Sequence, residues 1–163
     1  MDYDKLFVLT DTNTVEKCFP LVKEVPAIQS ARLIVVEATD LHKDLESLSS
    51  IWRHLSNEGA SRHSVLLNLG GGMVTDMGGF AGATFKRGIR TINVPTTLMA
   101  SVDAAVGGKT GINFNGLKNE IGAFYPPLCV FIDCGFLRTF RICRNDKTWV
   151  DKLDGNIYVG HVV

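Results

Sequence analysis

Between residues 70 and 119 the chain crowds together glycines, threonines, lysines and two aspartates, groups able to hold a phosphorylated anion. Gly70-Gly71-Gly72 separates an apolar run from a stretch of helical length. Glycines there let the backbone turn sharply and present main-chain N–H groups at a helix start, where the dipole favours negative charge. A second turn, Pro95-Thr96-Thr97, follows another apolar run, and Lys109 and Lys118 flank a glycine-rich segment with Asn119 beside them. Phosphate or pyrophosphate binding is the chemistry such a set supports. The spacing fits no standard nucleotide fingerprint: Thr75 occupies the last glycine of G-x-G-x-x-G, and no Walker lysine follows. The best ribose-binding acid, Asp40, precedes the glycines instead of following them, so the pattern is a different nucleotide fold or no nucleotide fold.

Each of these residues also has a purely structural reading. Arg87 and Lys118 suit a solvated surface, Asp76 suits the first turn of a helix, Thr96 and Thr97 suit a cap, and the glycines suit close packing. The four cysteines and four histidines are scattered without CxxC, HExxH or zinc-site spacing, so no self-contained metal site is expected.

The elements that must position these groups alternate between strand and helix. Residues 5–10 form an apolar strand, and the cluster Asp11-Thr12-Asn13-Thr14 caps a helix that ends or kinks at Pro20. Residues 31–36, ARLIVV, form a second strand with the near-continuous β-branched content of a sheet buried on both faces. A polar linker over 37–43 precedes a helix from Asp44, in which Leu45, Leu48, Ile51, Trp52 and Leu55 recur at helical spacing up to Gly59. Residues 64–69 read as a central strand, 73–87 as a helix closed by Gly88, 91–94 as a strand, and 97–105 as a helix. Residues 107–119 are too polar and glycine-rich for core and read as a ligand loop; 128–132 is one more strand. The helix at 73–87 is rich in glycine and alanine, a composition kept where another backbone or a ligand approaches closely. The alternation predicts an α/β fold with a mostly parallel sheet and helices on both faces.

With 163 residues, 45% of them hydrophobic, the chain is long enough for one core. A formal charge of zero gives no support for nucleic acid or an anionic membrane as partner. No apolar run approaches a membrane span and no signal-peptide pattern opens the chain, so a cytoplasmic location is expected.

The run LGGGMVTDMGGFAGATFKRGIRTINVPTTLMASVDAAVGGKTGINFNGLKNEIGAFYPP closely resembles the 3-dehydroquinate synthases, and the likeness covers most of residues 31 to 140. That resemblance implies a Rossmann-like NAD-binding domain over residues 1–140. It implies an adenosine-side loop with Asp40 and Lys43, where Asp40 replaces the usual glutamate. Gly71, Gly72, Met73 and Asp76 match the pyrophosphate and nicotinamide turn, Thr96, Thr97 and Met99 the second turn, and Phe136 and Thr139 a further cofactor contact. Asp103, Lys109, Lys118 and Asn119 match substrate positions for a sugar acid phosphate, 3-deoxy-D-arabino-heptulosonate 7-phosphate, and Arg87 matches an arginine that reaches a neighbouring subunit of a homodimer. The implied reaction, a step of aromatic amino acid biosynthesis, runs through transient oxidation by NAD, phosphate elimination, re-reduction and aldol closure.

In the family a divalent metal, zinc or cobalt, is held by a glutamate and two histidines of a second domain. Residues 141–163 match nothing in the family, and His161 lies in no recognisable ligand context, so this chain is expected to lack those ligands and not to turn over substrate alone. Related sugar phosphate cyclases, polyol dehydrogenases of similar fold, and a non-catalytic nucleotide-binding or dimerisation module share parts of the pattern.

Overall fold

The computed structural model describes residues 2–139, together with the course of a short strand at 157–160. The chain runs β1 (Leu6–Asp11), α1 (Thr12–Lys17), α2 (Phe19–Val22), α3 (Pro26–Gln29), β2 (Arg32–Val36), α4 (Leu45–Asn57), β3 (Val65–Gly70), α5 (Gly72–Thr84), β4 (Arg90–Pro95), β5 (Lys109–Phe114), β6 (Leu117–Phe124), β7 (Cys129–Asp133) and β8 (Ile157–Gly160). Single turns of 3-10 helix occupy Asp40–His42 and Phe85–Arg87, a longer one Cys134–Thr139, and a π turn Ala100–Ala104.

The main sheet has the order β2-β1-β3-β4-β7-β8. β2, β1, β3, β4 and β7 are all parallel, and β8 runs antiparallel on β7. Because β2 lies on one side of β1 and β3 on the other, the winding reverses between β1 and β3. Loops from their carboxyl ends therefore diverge and leave a crevice, the place where open α/β sheets bind ligands. Asp11 and Gly70 are the last residues of those two strands.

Helices cover both faces, as the alternation predicts. On one face Phe7, Leu9, Ile34 and Leu66 pack with Leu48, Ile51 and Leu55 of α4 and Val74 and Met77 of α5. On the other, Val8, Leu67, Leu69 and Ile92 pack with Cys18, Ile28 and Phe136. The helix expected through Cys18 is broken there: α1 ends at Lys17, and α2 restarts with Pro20 in its first turn, where the missing N–H is harmless. Asp11 caps α1, accepting from the N–H groups of Asn13 (2.9 Å) and Thr14 (2.8 Å). Asp44 caps α4 by accepting from the N–H of Ser47 at 2.8 Å.

Three expectations are corrected. β2 is the edge strand, with Leu33 and Val35 exposed on one face, so its β-branched run is not buried on both. Residues 97–105 do not form a regular helix; they close through a π turn in which the N–H of Ala105 reaches back to the carbonyl of Ala100. The glycine-rich segment 107–119 is no loop but most of a β-hairpin, β5–β6, turned by Asn115 and Gly116 at φ 51° and 81°. Asn-Gly at positive φ is the favoured two-residue hairpin turn, because its twist matches that of the strands.

The small residues of α5 are explained by this arrangement. Its Gly78 faces the sheet at Asn68, and its Gly79 faces the hairpin, where an added Cβ would stand 2.3 Å from Thr110 Cγ2. The helix is wedged between the sheet and the hairpin, so the close approach read from its composition is made by their side chains. Of the expected tail at 141–163, only β8 belongs to the described residues; His161 lies outside them.

Candidate functional site

Gly70-Gly71-Gly72 forms the turn from β3 into α5, and the second turn is fastened to it: the N–H of Thr96 donates to the carbonyl of Gly70 at 2.9 Å. A Cβ on Gly71 would come within 3.2 Å of Thr97 Cγ2, and one on Gly72 within 3.3 Å of the Ala104 methyl. Gly71 offers no side-chain cap to α5. The first-turn amides of that helix are therefore free of internal partners and lie where the dipole favours an anion. Met73, next in the turn, packs instead against the core.

Beside this turn opens a cleft of about 420 Å³ whose lining includes Asp76, Asp103, Ala104, Lys109, Thr110 and Asn119. Four residues expected from separate parts of the sequence thus share one cavity. α5 supplies Asp76, the π turn Asp103, and the hairpin Lys109 and Asn119. Among the described residues Lys109 has no carboxylate within salt-bridge distance.

Lys43 stands behind two residues of the cleft's lining, Asp76 and Asn119. It is buried, and its ammonium donates to Asp76 Oδ2 at 2.5 Å and to the side-chain oxygen of Asn119. Burial pushes the Asp76 carboxyl above the usual carboxylate range, more than the adjacent ammonium pulls it down, and the nearby charges of Asp103 and Asp40 push the same way. The sequence expectation grouped Lys43 with Asp40 on an adenosine-side loop, but in the structure the two side chains diverge. Asp40 points outward, paired with Lys118 at 2.7 Å, and both line a second groove of about 320 Å³ at the hairpin tip. The hydrogen bond from Lys118 holds the Asp40 carboxyl below its ordinary range. Lys118 and Asn119 are adjacent in β6 and so lie on opposite sides of the hairpin, which separates two residues expected together.

Other expected residues are placed away from the cleft. Phe136 is buried in the sheet's second core. The Thr139 hydroxyl donates to the carbonyl of Phe136 at 2.6 Å and lies 3.3 Å from the Cys18 thiol. Met99 projects outward, 68% exposed. Arg87 is exposed on the turn after α5, outside the lining of either cavity.

Asn68 and Asn93 are not among the expected site residues, and Asn113 is expected only as part of the ligand loop at 107–119. Asn68 and Asn93 are buried side by side in β3 and β4; the amide of Asn68 donates to Asn93 at 2.8 Å, and that of Asn93 to the carbonyl of Ala105 at 2.9 Å. This ladder anchors the end of the π turn that carries Asp103. The signal was present: an asparagine in the middle of each of two apolar strands needs a polar partner, and parallel neighbours at equal depth can supply it.

Among the described residues no group of three His, Cys, Asp or Glu side chains is placed to hold a metal ion. No described helix is long and apolar enough to cross a membrane.

Comparisons with known proteins bear on the whole arrangement. The model of the 3-dehydroquinate synthase N-terminal family matches residues 33–145. The 3-dehydroquinate synthase of Parabacteroides distasonis is 77% identical over 139 residues, covering 85% of this chain and 39% of that protein. The one from Thermococcus kodakarensis is 49% identical over 121 residues, covering 74% and 35%. The chain therefore spans about two fifths or less of the length of these relatives. Among solved structures, 2-deoxy-scyllo-inosose synthase complexed with carbaglucose-6-phosphate, NAD+ and Co2+ superposes with a TM-score of 0.75 at 26% identity, over 83% of this chain and 38% of that one. The 2-epi-5-epi-valiolone synthase of Streptomyces hygroscopicus, with NAD+ and Zn2+ bound, gives 0.76 at 30% identity, over 83% and 38%. By family model, sequence identity and fold, this chain belongs to the 3-dehydroquinate synthase family, whose N-terminal part it matches.

Proposed function

We propose that this chain is the dinucleotide-binding part of a 3-dehydroquinate synthase and that its cleft holds NAD beside a sugar acid phosphate. The observation that carries the reading is the convergence of Asp76, Asp103, Lys109 and Asn119 on one cavity next to an uncapped helix start. The glycine turn fits the group: it presents main-chain amides with no side chain in front of them, and Thr97 and Ala104 stand where a bulkier turn would collide. NAD supplies a hydride acceptor that later returns the hydride, which the side chains of the site cannot do.

The chain's own residues bind and orient. Amides of Gly72 and Met73 would hold the pyrophosphate, and the Asp76 carboxyl, fixed by Lys43, would orient the nicotinamide end. Lys109, without a carboxylate partner among the described residues, offers its ammonium to a phosphate or carboxylate, and Asn119 offers its amide to a hydroxyl. Asp103 lies across the cleft as acceptor for substrate hydroxyls. The exposed turn at Arg87 is available to a second copy of the chain, in line with a homodimer. Cys18, Cys129 and Cys134 are free thiols, which fits a reducing, cytoplasmic compartment.

Titration with NAD followed by calorimetry tests the reading. Saturable binding that weakens about tenfold on Lys109→Ala only when the sugar acid phosphate is also present is expected. An absence of binding at millimolar NAD overturns it.

A further inference from the structure

Two polar groups, one lining the cleft and one behind it, hold unusual positions. Asn119 has φ 53°, a left-handed conformation uncommon for non-glycine residues, which asparagine tolerates better than most and which a fixed partner would hold in place. Lys43 buries its ammonium although it belongs to a surface turn. One residue outside the cleft accounts for both. The pairing of β5 with β6 slips between Ile112 and Phe114, which leaves Asn113 out of the ladder. Its N–H donates to the carbonyl of Lys43 at 2.7 Å, its side-chain amide donates to the carbonyl of Asp40 at 3.0 Å, and its side-chain oxygen accepts from the N–H of Asn119 at 3.0 Å. The Lys43 ammonium then donates to the side-chain oxygen of Asn119 and closes a ring through Lys43, Asn113 and Asn119. Asn113 lines the groove with Asp40 and Lys118, whereas Asn119 lines the cleft.

We propose that Asn113 is a positioning residue: it sets the left-handed bend at Asn119, holds Lys43 between Asn119 and Asp76, and links the outer groove to the cleft. Asparagine is suited to this because one short side chain carries both a donor and an acceptor. Aspartate retains only the acceptor that meets Asn119, and alanine retains neither. The main-chain bond from residue 113 to Lys43 survives in both substitutions, so they isolate the side-chain links. The consequence for dinucleotide binding rests on the function proposed above; the consequence for Asn119 and Lys43 does not.

The experiment is amide hydrogen exchange by NMR on the 163-residue chain, wild type beside Asn113→Ala and Asn113→Asp, with NAD titration of each. The amide of Tyr125, which donates to the carbonyl of Gly108 at 2.7 Å at the far end of the same hairpin, reports general loosening. In Asn113→Ala the Asn119 amide is expected to exchange about tenfold faster relative to Tyr125, the Lys43 ammonium signal to shift, and the Kd for NAD to rise about tenfold. Asn113→Asp is expected to keep the Asn119 amide protected. Equal acceleration at Asn119 and Tyr125, or an unchanged Lys43 signal, overturns the positioning role. So does an unchanged Kd despite lost protection. Should Asn113→Ala not fold, the wild type and Asn113→Asp decide: an Asn119 amide unprotected in either one overturns the proposal. Failure of the wild type to bind NAD counts against the dinucleotide reading alone, since the exchange comparison still stands.

Discussion

Gly78 of α5 lies directly against Asn68 of β3: a Cβ at Gly78 would fall 2.0 Å from Asn68 Oδ1 and 2.8 Å from Leu9 Cδ2. Asn68 has nowhere to retreat, because its amide is committed to Asn93 and its oxygen, which has no partner, is already pressed onto the helix. Gly78→Ala is therefore expected to destabilise the fold by roughly 2–3 kcal/mol through overpacking, even though alanine is the better helix former. Urea denaturation measures this, and a Gly78→Ala chain as stable as the wild type would contradict the contact.

Gly72 provides the contrast. An added methyl there meets only the Ala104 methyl at 3.3 Å, a contact that a shift of a few tenths of an ångström relieves. Gly72→Ala should leave stability within about 0.5 kcal/mol, since helix propensity offsets the contact, while placing a methyl in front of the amides assigned to pyrophosphate. The expected result is an unchanged Tm with NAD affinity reduced about tenfold or more. A loss of Tm with unchanged affinity would assign the glycine to packing.

Asp76 gives a pH signature. Its carboxyl titrates above the ordinary value of 3.8 in the folded chain, first because of burial. Between the unfolded and folded values the native state binds more protons, so this group's contribution to stability falls as pH rises through that window and is constant above it. Other carboxylates, such as Asp40, act in the opposite sense. The measurable quantity is accordingly the difference between wild type and Asp76→Asn across that window, and a flat difference would show that Asp76 is not perturbed. Lys43→Met removes the group that draws the value down. It should raise the Asp76 titration further and cost roughly 2 kcal/mol at neutral pH, less than a fully buried pair because the Asp76 side chain keeps 19% exposure.

Much of this was legible beforehand, and the exceptions share a cause. β1, β3, β4 and β7 each fall within a residue or so of the apolar runs that predicted them, since a buried strand must be apolar and a turn must follow it. The edge position of β2 was not legible, because β-branched content reports strand and says nothing of sheet order. The β5–β6 hairpin was missed although Asn115-Gly116 announced it, because glycines and lysines around the turn also suit a phosphate loop. The partners of Lys43 and Asn113 are not legible for a different reason. They are residues far along the chain, and a lysine or asparagine in a polar stretch carries no mark of which way its side chain turns.

The Lys118–Asp40 pair is short but exposed, with side chains 78% and 51% accessible. Screening and side-chain entropy cancel most of its attraction, so Lys118→Gln should change stability by less than about 0.5 kcal/mol. The same substitution removes the main cause lowering the Asp40 titration, which should move back up toward its ordinary value. Carbon-detected NMR of the Asp40 carboxyl reads this directly; an unmoved titration would mean that the pair does not persist in solution.

The turn after α5 stores strain. Lys86 and Arg87 have φ 49° and 67°, and Gly88 follows at 118°, so three residues in succession are left-handed and two of them carry side chains. A left-handed non-glycine residue costs about 1–2 kcal/mol, whereas glycine adds back about 0.5–1 kcal/mol through the entropy of the unfolded chain. The first effect is the larger, so Lys86→Gly should stabilise the fold by up to about 1 kcal/mol. Lys86→Ala serves as the control: it also removes the ammonium that sits 5.7 Å from the Phe85 ring, but keeps the strain. Equilibrium denaturation of the pair isolates the backbone contribution. A Lys86→Gly chain no more stable than Lys86→Ala would show that the turn relaxes in solution, and the outward projection of Arg87 would then have no structural basis.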